Sequence, residues 1–154
     1  WSLRQDERVC VMERTNFRYV KPEDLKGPRP TMATIDVSFI SIKKILPPLK
    51  EILLSSGGGL VVALIKPQFE AGRELVGKAG IVKEKKTHLH VLKEMFTFFQ
   101  EHGWRWQGIT YSPIKGGEGN IEFLALLSLD SSDTEARVTE DQLIQTVEEA
   151  HQLL

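Results

Sequence analysis

The chain has 154 residues, of which 41% are hydrophobic and 27% charged, and this is typical of one globular domain with a substantial core. Its net charge of −1 argues against strong autonomous nucleic-acid binding, and no apolar run is long enough to span a bilayer. The single cysteine, Cys10, excludes an internal disulfide and is expected to pack within a strand. We therefore expect a soluble, cytoplasmic protein.

The beginning of the chain resembles the interior of a domain. It starts at Trp1 rather than at an initiator methionine, and residues 1–6 have the pattern of a helix end. A strand is predicted directly afterwards, at residues 8–13, where the pattern alternates and is rich in β-formers. We therefore expect a single partial domain, spanning residues 1–154, that belongs to a longer protein and lacks its first strands.

The following segments alternate between helix and strand patterns. A short helical turn is predicted at residues 22–25, and a buried strand at residues 31–37 that ends at Asp36. Residues 38–55 have helical spacing, in which Pro47 and Pro48 predict a kink or two short helices. The apolar stripe of this predicted helix consists of Phe39, Ile42, Leu46, Leu49 and Leu53. Residues 57–59, all glycine, predict a turn.

The second half of the chain begins with a fully apolar strand at residues 60–66, as in sheets that are covered on both faces. A glycine-containing loop follows, and residues 84–102 predict an amphipathic helix that stops at Gly103. Strands at residues 106–112 and 121–129 are expected to pair as an antiparallel hairpin. A final helix begins at Thr139, where Gln142 completes a capping box.

Three charged residues lie at the ends of predicted strands in what this order indicates is an α/β fold. Asp36 and Lys66 fall at the carboxyl edge of a parallel sheet, where ligands bind. Glu122 reaches that edge only if the last strand is antiparallel, which the hairpin supplies. Such a group perturbs its members' pKa values, and its lysine can help deprotonate a weakly acidic hydroxyl. The alternative is that each charge is simply solvated.

Other familiar site motifs are missing from the sequence. His88 and His90 stand two residues apart without further metal ligands, so no metal site is predicted. Neither a nucleophile elbow nor a glycine-rich dinucleotide or phosphate loop is present. Residues 66–90 carry six basic side chains against three acidic ones, and residues 130–150 carry seven acidic against one basic. Each block is typical of a solvated face, although the basic block could also receive phosphate.

Four longer strings are recognisable: ERTNFRYV at 13–20, TIDVSFISIKKILPPL at 34–49, ALIKPQFEAGRE at 63–74 and SPIKGGEGNIEFLALL at 112–127. In this order they resemble the haemolysin-like, TlyA-type branch of the FtsJ-like RNA methyltransferases over nearly the whole chain. The resemblance implies a Rossmann-like, S-adenosylmethionine-dependent methyltransferase sheet that methylates ribose 2′-hydroxyls of ribosomal RNA. It makes ribosomal RNA or a ribosomal subunit the expected partner.

The resemblance also assigns roles to residues. The family uses a Lys-Asp-Lys-Glu tetrad, in which Asp36, Lys66 and Glu122 match the last three members, and the first lysine is expected upstream of this chain. The donor loop and an S4-like RNA-binding domain are expected upstream too, so the fragment alone should bind donor poorly and catalyse nothing. The cofactor contacts that remain would be Thr15 and Asn16 on the adenine side, and Asp36 and Val37 near the methyl group.

The resemblance suggests a mechanism in which Lys66 hydrogen-bonds the target 2′-hydroxyl and assists loss of its proton, while Asp36 and Glu122 orient the lysines. Alignment of oxygen, methyl and sulfur would supply most of the acceleration, and no metal is needed. The expected target is a single-stranded or splayed nucleotide. Five basic residues are predicted to contact the RNA backbone: Arg73, Lys78, Lys83, Lys85 and Lys86.

Two other classes of function stay open at this point. Proteins with these strings are often called haemolysins, but no transmembrane run, secretion signal or strongly basic apolar helix supports membrane lysis. A non-catalytic RNA-binding module that has kept the fold is the other alternative.

Overall fold

The computed structural model describes residues 1–129 and 136–154. Within these ranges the chain forms four strands and four α-helices, together with short 3₁₀ segments. In chain order they are β1 (Met32–Ile35), α1 (Leu46–Leu54), β2 (Leu60–Ile65), α2 (Pro67–Glu70), α3 (Lys85–Glu101), β3 (Arg105–Tyr111), β4 (Phe123–Ser128) and α4 (Glu140–Leu153).

The strands form one sheet in the order β1-β2-β4-β3. β1 and β2 are parallel, whereas β4 pairs antiparallel with both β2 and β3. β4 is therefore antiparallel to the other three strands, and it lies between β2 and β3. The predicted α/β sheet with an antiparallel hairpin at one edge is confirmed, and the carboxyl ends of β1 and β2 lie at the same edge.

The hydrophobic core lies between this sheet and the helices. On β2, Val61, Ala63 and Ile65 are fully buried, because alternate residues of a strand face the same side. Trp106 of β3 packs edge-on against Phe99 of α3, with ring centroids 4.9 Å apart. Full burial of such aromatic side chains contributes on the order of 2–3 kcal/mol each, which fixes α3 on the sheet.

Several local predictions are confirmed. The turn near residue 22 is a 3₁₀ segment, Pro22–Asp24, and the long helix and the final hairpin form where their patterns place them. α4 begins with the predicted capping box: Gln142 N donates to Thr139 Oγ1 over 3.3 Å, and Thr139 N donates to Gln142 Oε1 over 2.9 Å. The capping box and the short turn depend on residues only a few positions apart, whereas the hairpin pairs residues such as Tyr111 and Phe123, which are 12 positions apart.

The predicted strand at residues 8–13 is wrong. No ladder joins this segment to β1 or to any other strand of the described chain, and Val11 is 43% exposed. The backbone turns instead, because the Asp6 carboxylate accepts a hydrogen bond of 2.9 Å from Arg8 N. The prediction that Cys10 packs within a strand is also wrong, since its side chain is exposed.

The predicted helix over residues 38–55 starts later than its pattern indicates. Phe39 has a φ of 63° and is 90% exposed, so it does not join the apolar stripe. The chain instead forms a 3₁₀ segment, Ile42–Lys44, which Ser41 caps by accepting a hydrogen bond from Lys43 N. Pro47 then lies in the first turn of α1, where a missing N–H costs nothing.

A pair of histidines connects α3 to α4. His88 is fully buried, and its Nδ1 lies 2.7 Å from Nε2 of His151. Its Nε2 lies 3.1 Å from the carbonyl oxygen of Val82, to which it must donate. Burial, together with the nearby His151, lowers the pKa of His88 from 6.5 to about 4.

We expect the folded chain to lose stability as the pH falls from about 6.5 to about 4. In this range the His88 imidazole is protonated in the unfolded chain but stays neutral in the folded one, so protonation favours unfolding. The loss attributable to His88 is up to about 3 kcal/mol. Urea denaturation of wild type and His88→Gln across this range measures it, since the variant should show a flatter dependence. His90→Gln, which alters a half-exposed histidine, should keep the wild-type slope; equal slopes for wild type and His88→Gln would contradict the assignment.

Candidate active site

Asp36 and Lys66 meet at the carboxyl edge of the sheet. Asp36 directly follows β1 and Lys66 directly follows β2, and Lys66 stays extended because Pro67 follows it. The Lys66 ammonium lies 2.6 Å from Asp36 Oδ1 and donates a further hydrogen bond of 3.1 Å to Ser38 Oγ. The lysine side chain is 13% exposed and the aspartate side chain 72%, so Lys66 is largely buried whereas Asp36 is accessible to solvent.

Glu122 reaches the same edge through the antiparallel β4. Ile65 pairs with Phe123, so the next residues in register, Lys66 and Glu122, lie on adjacent segments of the chain at this edge of the sheet. Glu122 is 5% exposed, and its Oε2 accepts a hydrogen bond of 2.8 Å from Gln68 Nε2. No ion pair between Lys66 and Glu122 is found in the described chain; the Glu122 carboxylate is hydrogen-bonded by Gln68 instead.

A cavity of about 410 Å³ opens between these side chains, and we call it the Lys66 cavity. Its walls include Ser38, Phe39, Lys66, Gln68, Phe69 and Glu122. Gln68 Oε1 is buried and has no hydrogen-bond partner in the described part of the chain. A buried acceptor of this kind costs about 1–3 kcal/mol when it stays unpaired, so it is suited to a hydroxyl-bearing ligand.

The loop after β1 is tied to the helix after β2. Both Ser41 Oγ and Ile42 N donate to the carboxylate of Glu70, the latter over 3.0 Å. Burial raises the pKa of Glu70, and these hydrogen bonds partly offset that effect. The rings of Phe39 and Phe69 are 4.9 Å apart at the mouth of the Lys66 cavity. These contacts hold the exposed Phe39 and the half-buried Phe69 beside the lysine.

A second cavity, of about 280 Å³, adjoins Asp36, and we call it the Asp36 cavity. It is mainly apolar and is lined by Phe17, Ile35, Asp36, Val37, Ile45 and Leu49. Of the predicted cofactor residues, Asp36 and Val37 lie in its wall. Thr15 and Asn16 directly precede Phe17 but bond locally, to Glu13 O and Arg18 N. Asp36 thus connects the two cavities, lining one and contacting the lysine of the other.

The structure divides the five predicted RNA-contacting residues into two groups. Lys85 pairs with Glu148 at 3.0 Å and Lys86 with Glu84 at 3.1 Å. Lys78 and Lys83 line a cavity of about 340 Å³ before α3, and Arg73 lies in the exposed 3₁₀ turn Arg73–Leu75. The predicted acidic block lies partly outside the described residues, at 130–135.

Sequence reasoning missed four residues that shape the site. Gln68 and Glu70 follow Lys66 at two and four positions within a string already recognised, so their polarity in a short helix was a usable signal. Asn120 is 2% exposed, and its Oδ1 accepts a hydrogen bond of 2.9 Å from Val82 N. Nothing local in the sequence reveals that bridge, nor the bond from Lys66 to Ser38.

No cluster of three or more His, Cys, Asp or Glu that could hold a metal ion occurs in residues 1–129 and 136–154. Over the same residues, no helix is long and apolar enough to cross a membrane.

A sequence model of the FtsJ-like methyltransferases matches residues 1–129, which together with the α/β sheet and its strand-end charges shows the class of protein. The chain belongs to the FtsJ-like methyltransferase family. Its relatives place it in the TlyA-type, haemolysin-like branch of that family.

Relatives and solved structures agree with this assignment. YqxC of Bacillus subtilis (strain 168), provisionally named an rRNA methyltransferase, is 52% identical over 155 residues, covering 100% of this chain and 54% of its own. The 16S/23S rRNA (cytidine-2′-O)-methyltransferase TlyA of Mycobacterium tuberculosis (strain ATCC 25618 / H37Rv) is 37% identical over 150 residues. This match covers 97% of the present chain and 55% of that relative. A Streptococcus thermophilus structure, provisionally described as a hemolysin, is 48% identical and superposes with a TM-score of 0.91. This match covers 99% of the present chain and 54% of that structure's chain. The chain thus spans about half the length of these relatives.

Proposed function

We propose that the protein containing this chain methylates a ribose 2′-hydroxyl of ribosomal RNA with S-adenosylmethionine. The observation that carries the proposal is the contact of 2.6 Å between Lys66 and Asp36 at the shared edge of two parallel strands, with Glu122 in the wall of the same cavity. FtsJ-like membership supports methyl transfer, and a relative named an rRNA (cytidine-2′-O)-methyltransferase supports the ribose of ribosomal RNA as acceptor. The chain is then a partial methyltransferase domain that acts in the cytoplasm as part of the longer protein.

The Asp36 cavity fits the donor. Phe17 offers an aromatic surface and Val37 an aliphatic one for a purine, and the Asp36 carboxylate suits a positively charged sulfonium. Thr15 and Asn16 lie beside Phe17 and can complete the adenine side. When bound, S-adenosylmethionine supplies an activated methyl group, so the protein has only to align it with the acceptor.

Lys66 is the residue that binds and deprotonates the acceptor hydroxyl. An amine nitrogen makes hydrogen bonds in three directions, and the contacts with Asp36 and Ser38 use two of them. After the ammonium has lost one proton to solvent, its two remaining N–H groups can keep the contacts with Asp36 and Ser38. The lone pair that this leaves in the third direction can accept a hydrogen bond from the target 2′-hydroxyl and take up its proton during methyl transfer. Asp36 keeps the amine in place, and Glu122, fixed by Gln68, borders the acceptor from the other side.

The Lys66 cavity also fits a nucleotide that has left a helix. Its buried acceptor, Gln68 Oε1, can accept a hydrogen bond from a ribose hydroxyl. The exposed ring of Phe39, which packs against the half-buried Phe69, offers an aromatic surface to an unstacked base. The expected substrate is therefore a splayed nucleotide of ribosomal RNA.

The test uses the full-length protein with methyl-labelled S-adenosylmethionine and isolated ribosomal subunits. Label on a ribose 2′-oxygen, identified by nuclease digestion and mass spectrometry of the nucleosides, is the expected result. Donor binding without label on any subunit or naked ribosomal RNA would refute ribosomal RNA as the substrate. Absence of donor binding would favour a non-catalytic RNA-binding module, and lysis of red cells by the pure protein would favour the membrane-acting alternative.

A further inference from the structure

A further cavity, of about 490 Å³, adjoins the Lys66 cavity, because Glu118 lines both. We call it the His151 cavity. The residues of its wall that matter here are Val82, Lys83, His88, Lys115, Glu118 and His151. A volume of this size accommodates a phosphate together with part of its sugar.

The charge of this cavity is predominantly positive. Lys83 and Lys115 line it, and neither forms an ion pair or hydrogen bond with any residue of the described chain. Lys85 and Lys86, close by in sequence, are each held by a glutamate. Lys83 and Lys115 therefore bring two unpaired ammonium groups to the wall of the cavity, where the only carboxylate side chain among the described lining residues is that of Glu118.

His88 and His151 line the cavity, and their hydrogen bonds determine which ring nitrogens carry a hydrogen. Because His88 Nε2 donates to Val82 O, His88 Nδ1 must accept, and His151 Nε2 must carry the hydrogen between the rings. His151 Nδ1 is not needed for this contact. It can therefore take up a proton without breaking the pair, and His151 then becomes a third cation.

Asn120 holds the two edges of the cavity together. Its buried amide accepts from Val82 N and donates to Gly80 O, each over 2.9 Å, and so joins the segment before α3 to the loop before β4. These are the segments that carry Lys83 and Lys115. The two lysines are thus presented from a preorganised frame, which lowers the entropic cost of binding.

We propose that the His151 cavity binds a backbone phosphate of the RNA strand whose target ribose enters the Lys66 cavity. The inference rests on the proposed function for the identity of the strand. Two lysines and an imidazole are donors suited to a phosphate, and the shared wall at Glu118 places this site next to the reacting nucleotide. The site holds the strand in register and takes no part in methyl transfer.

The proposed site has a pH signature. Burial lowers the pKa of His151, the charges of Lys85 and Lys115 lower it further, and Glu148 opposes them. His88, on α3, contacts the His151 ring and stays neutral above about pH 4, where its own pKa lies. A bound phosphate would raise the pKa of His151, so RNA affinity should increase as the pH falls, and His151→Gln should weaken that dependence.

The experiment compares full-length wild type with Lys83→Ala, Lys115→Ala and Lys93→Ala. Lys93 is the matched control, since its ammonium is 3.2 Å from Glu140 and outside the cavity. We measure anisotropy of a labelled single-stranded oligoribonucleotide at several salt concentrations, and methylation kinetics on ribosomal subunits. Each cavity variant should lose about tenfold in affinity and reduce the salt slope by about 0.7, the value for one phosphate contact with a single strand.

In the same experiment, kcat at saturating RNA should stay near wild type, and Lys115→Arg should restore much of the affinity, because it keeps the charge. Unchanged affinity and salt slope in the Lys83 and Lys115 variants, while wild type methylates RNA, would overturn the inference and leave the proposed function intact. An equal loss in Lys93→Ala would also overturn it. A wild type that methylates no RNA, with affinity still lost in the cavity variants, would refute the proposed function and support the site.

Discussion

Lys66→Ala should abolish methyl transfer in the full-length protein, with an expected loss in kcat of about 10²–10⁴-fold, the range typical of a removed acid–base group. The reason is geometric. Lys66 is the only amine in contact with Asp36 in the described chain, and its remaining hydrogen-bonding direction is the one available to a hydroxyl. Donor affinity should change by no more than about twofold, since the Asp36 cavity does not include the lysine.

Single-turnover methylation and calorimetric donor binding measure the two quantities separately. Lys66→Arg keeps a cation beside Asp36, but a guanidinium cannot receive a proton, so this variant should be nearly as inactive as Lys66→Ala. Lys93→Ala, which removes an equivalent charge from α3, should behave as wild type. Loss of donor binding in Lys66→Ala would contradict the role assigned to the lysine, as would full activity in Lys66→Arg.

Gly116→Ala should lower kcat by about 10–10²-fold while leaving the protein folded, because it displaces Glu122. A Cβ at position 116 would lie within 2.7 Å of both carboxylate oxygens of Glu122. The backbone of Gly116 has a φ of −78°, which alanine adopts freely, so the effect is steric. The carboxylate must move, and its hydrogen bond from Gln68 is then lost.

The neighbouring glycine provides the matched control for this prediction. The Cβ of Gly117→Ala would meet no atom within 4 Å, so this variant should keep wild-type kcat. A double-mutant cycle then tests the cause: Gly116→Ala added to Glu122→Ala should cost little further, because the displaced group is already absent. Additive losses would show that Gly116 acts by another route, and unfolding of Gly116→Ala in a thermal melt would show that the change is not confined to the site.

Tertiary structure overrode the sequence where a strand pattern found no partner among the described residues, or where a distant residue outweighed a local helical pattern. The alternation at residues 8–13 is a strand pattern, but a strand exists only in a ladder, and Arg8 N bonds to the Asp6 carboxylate instead. Phe39 has the spacing of a helical core residue, yet a positive φ turns it outward beside Phe69. Glu70, 28 positions from Ile42, supplies the hydrogen bond that keeps that loop out of the helix.

The class of sheet, the hairpin, the capped final helix and the candidates Asp36, Lys66 and Glu122 could all be predicted from the sequence. These follow from short-range physics, since strand alternation, helix spacing and capping involve residues only a few positions apart. The tertiary structure decided how the candidates are held. Gln68 meets Glu122 across 54 positions, and His88 meets His151 across 63. No local pattern specifies such contacts, because they form only after core packing has brought distant segments together and made unpaired polar groups costly.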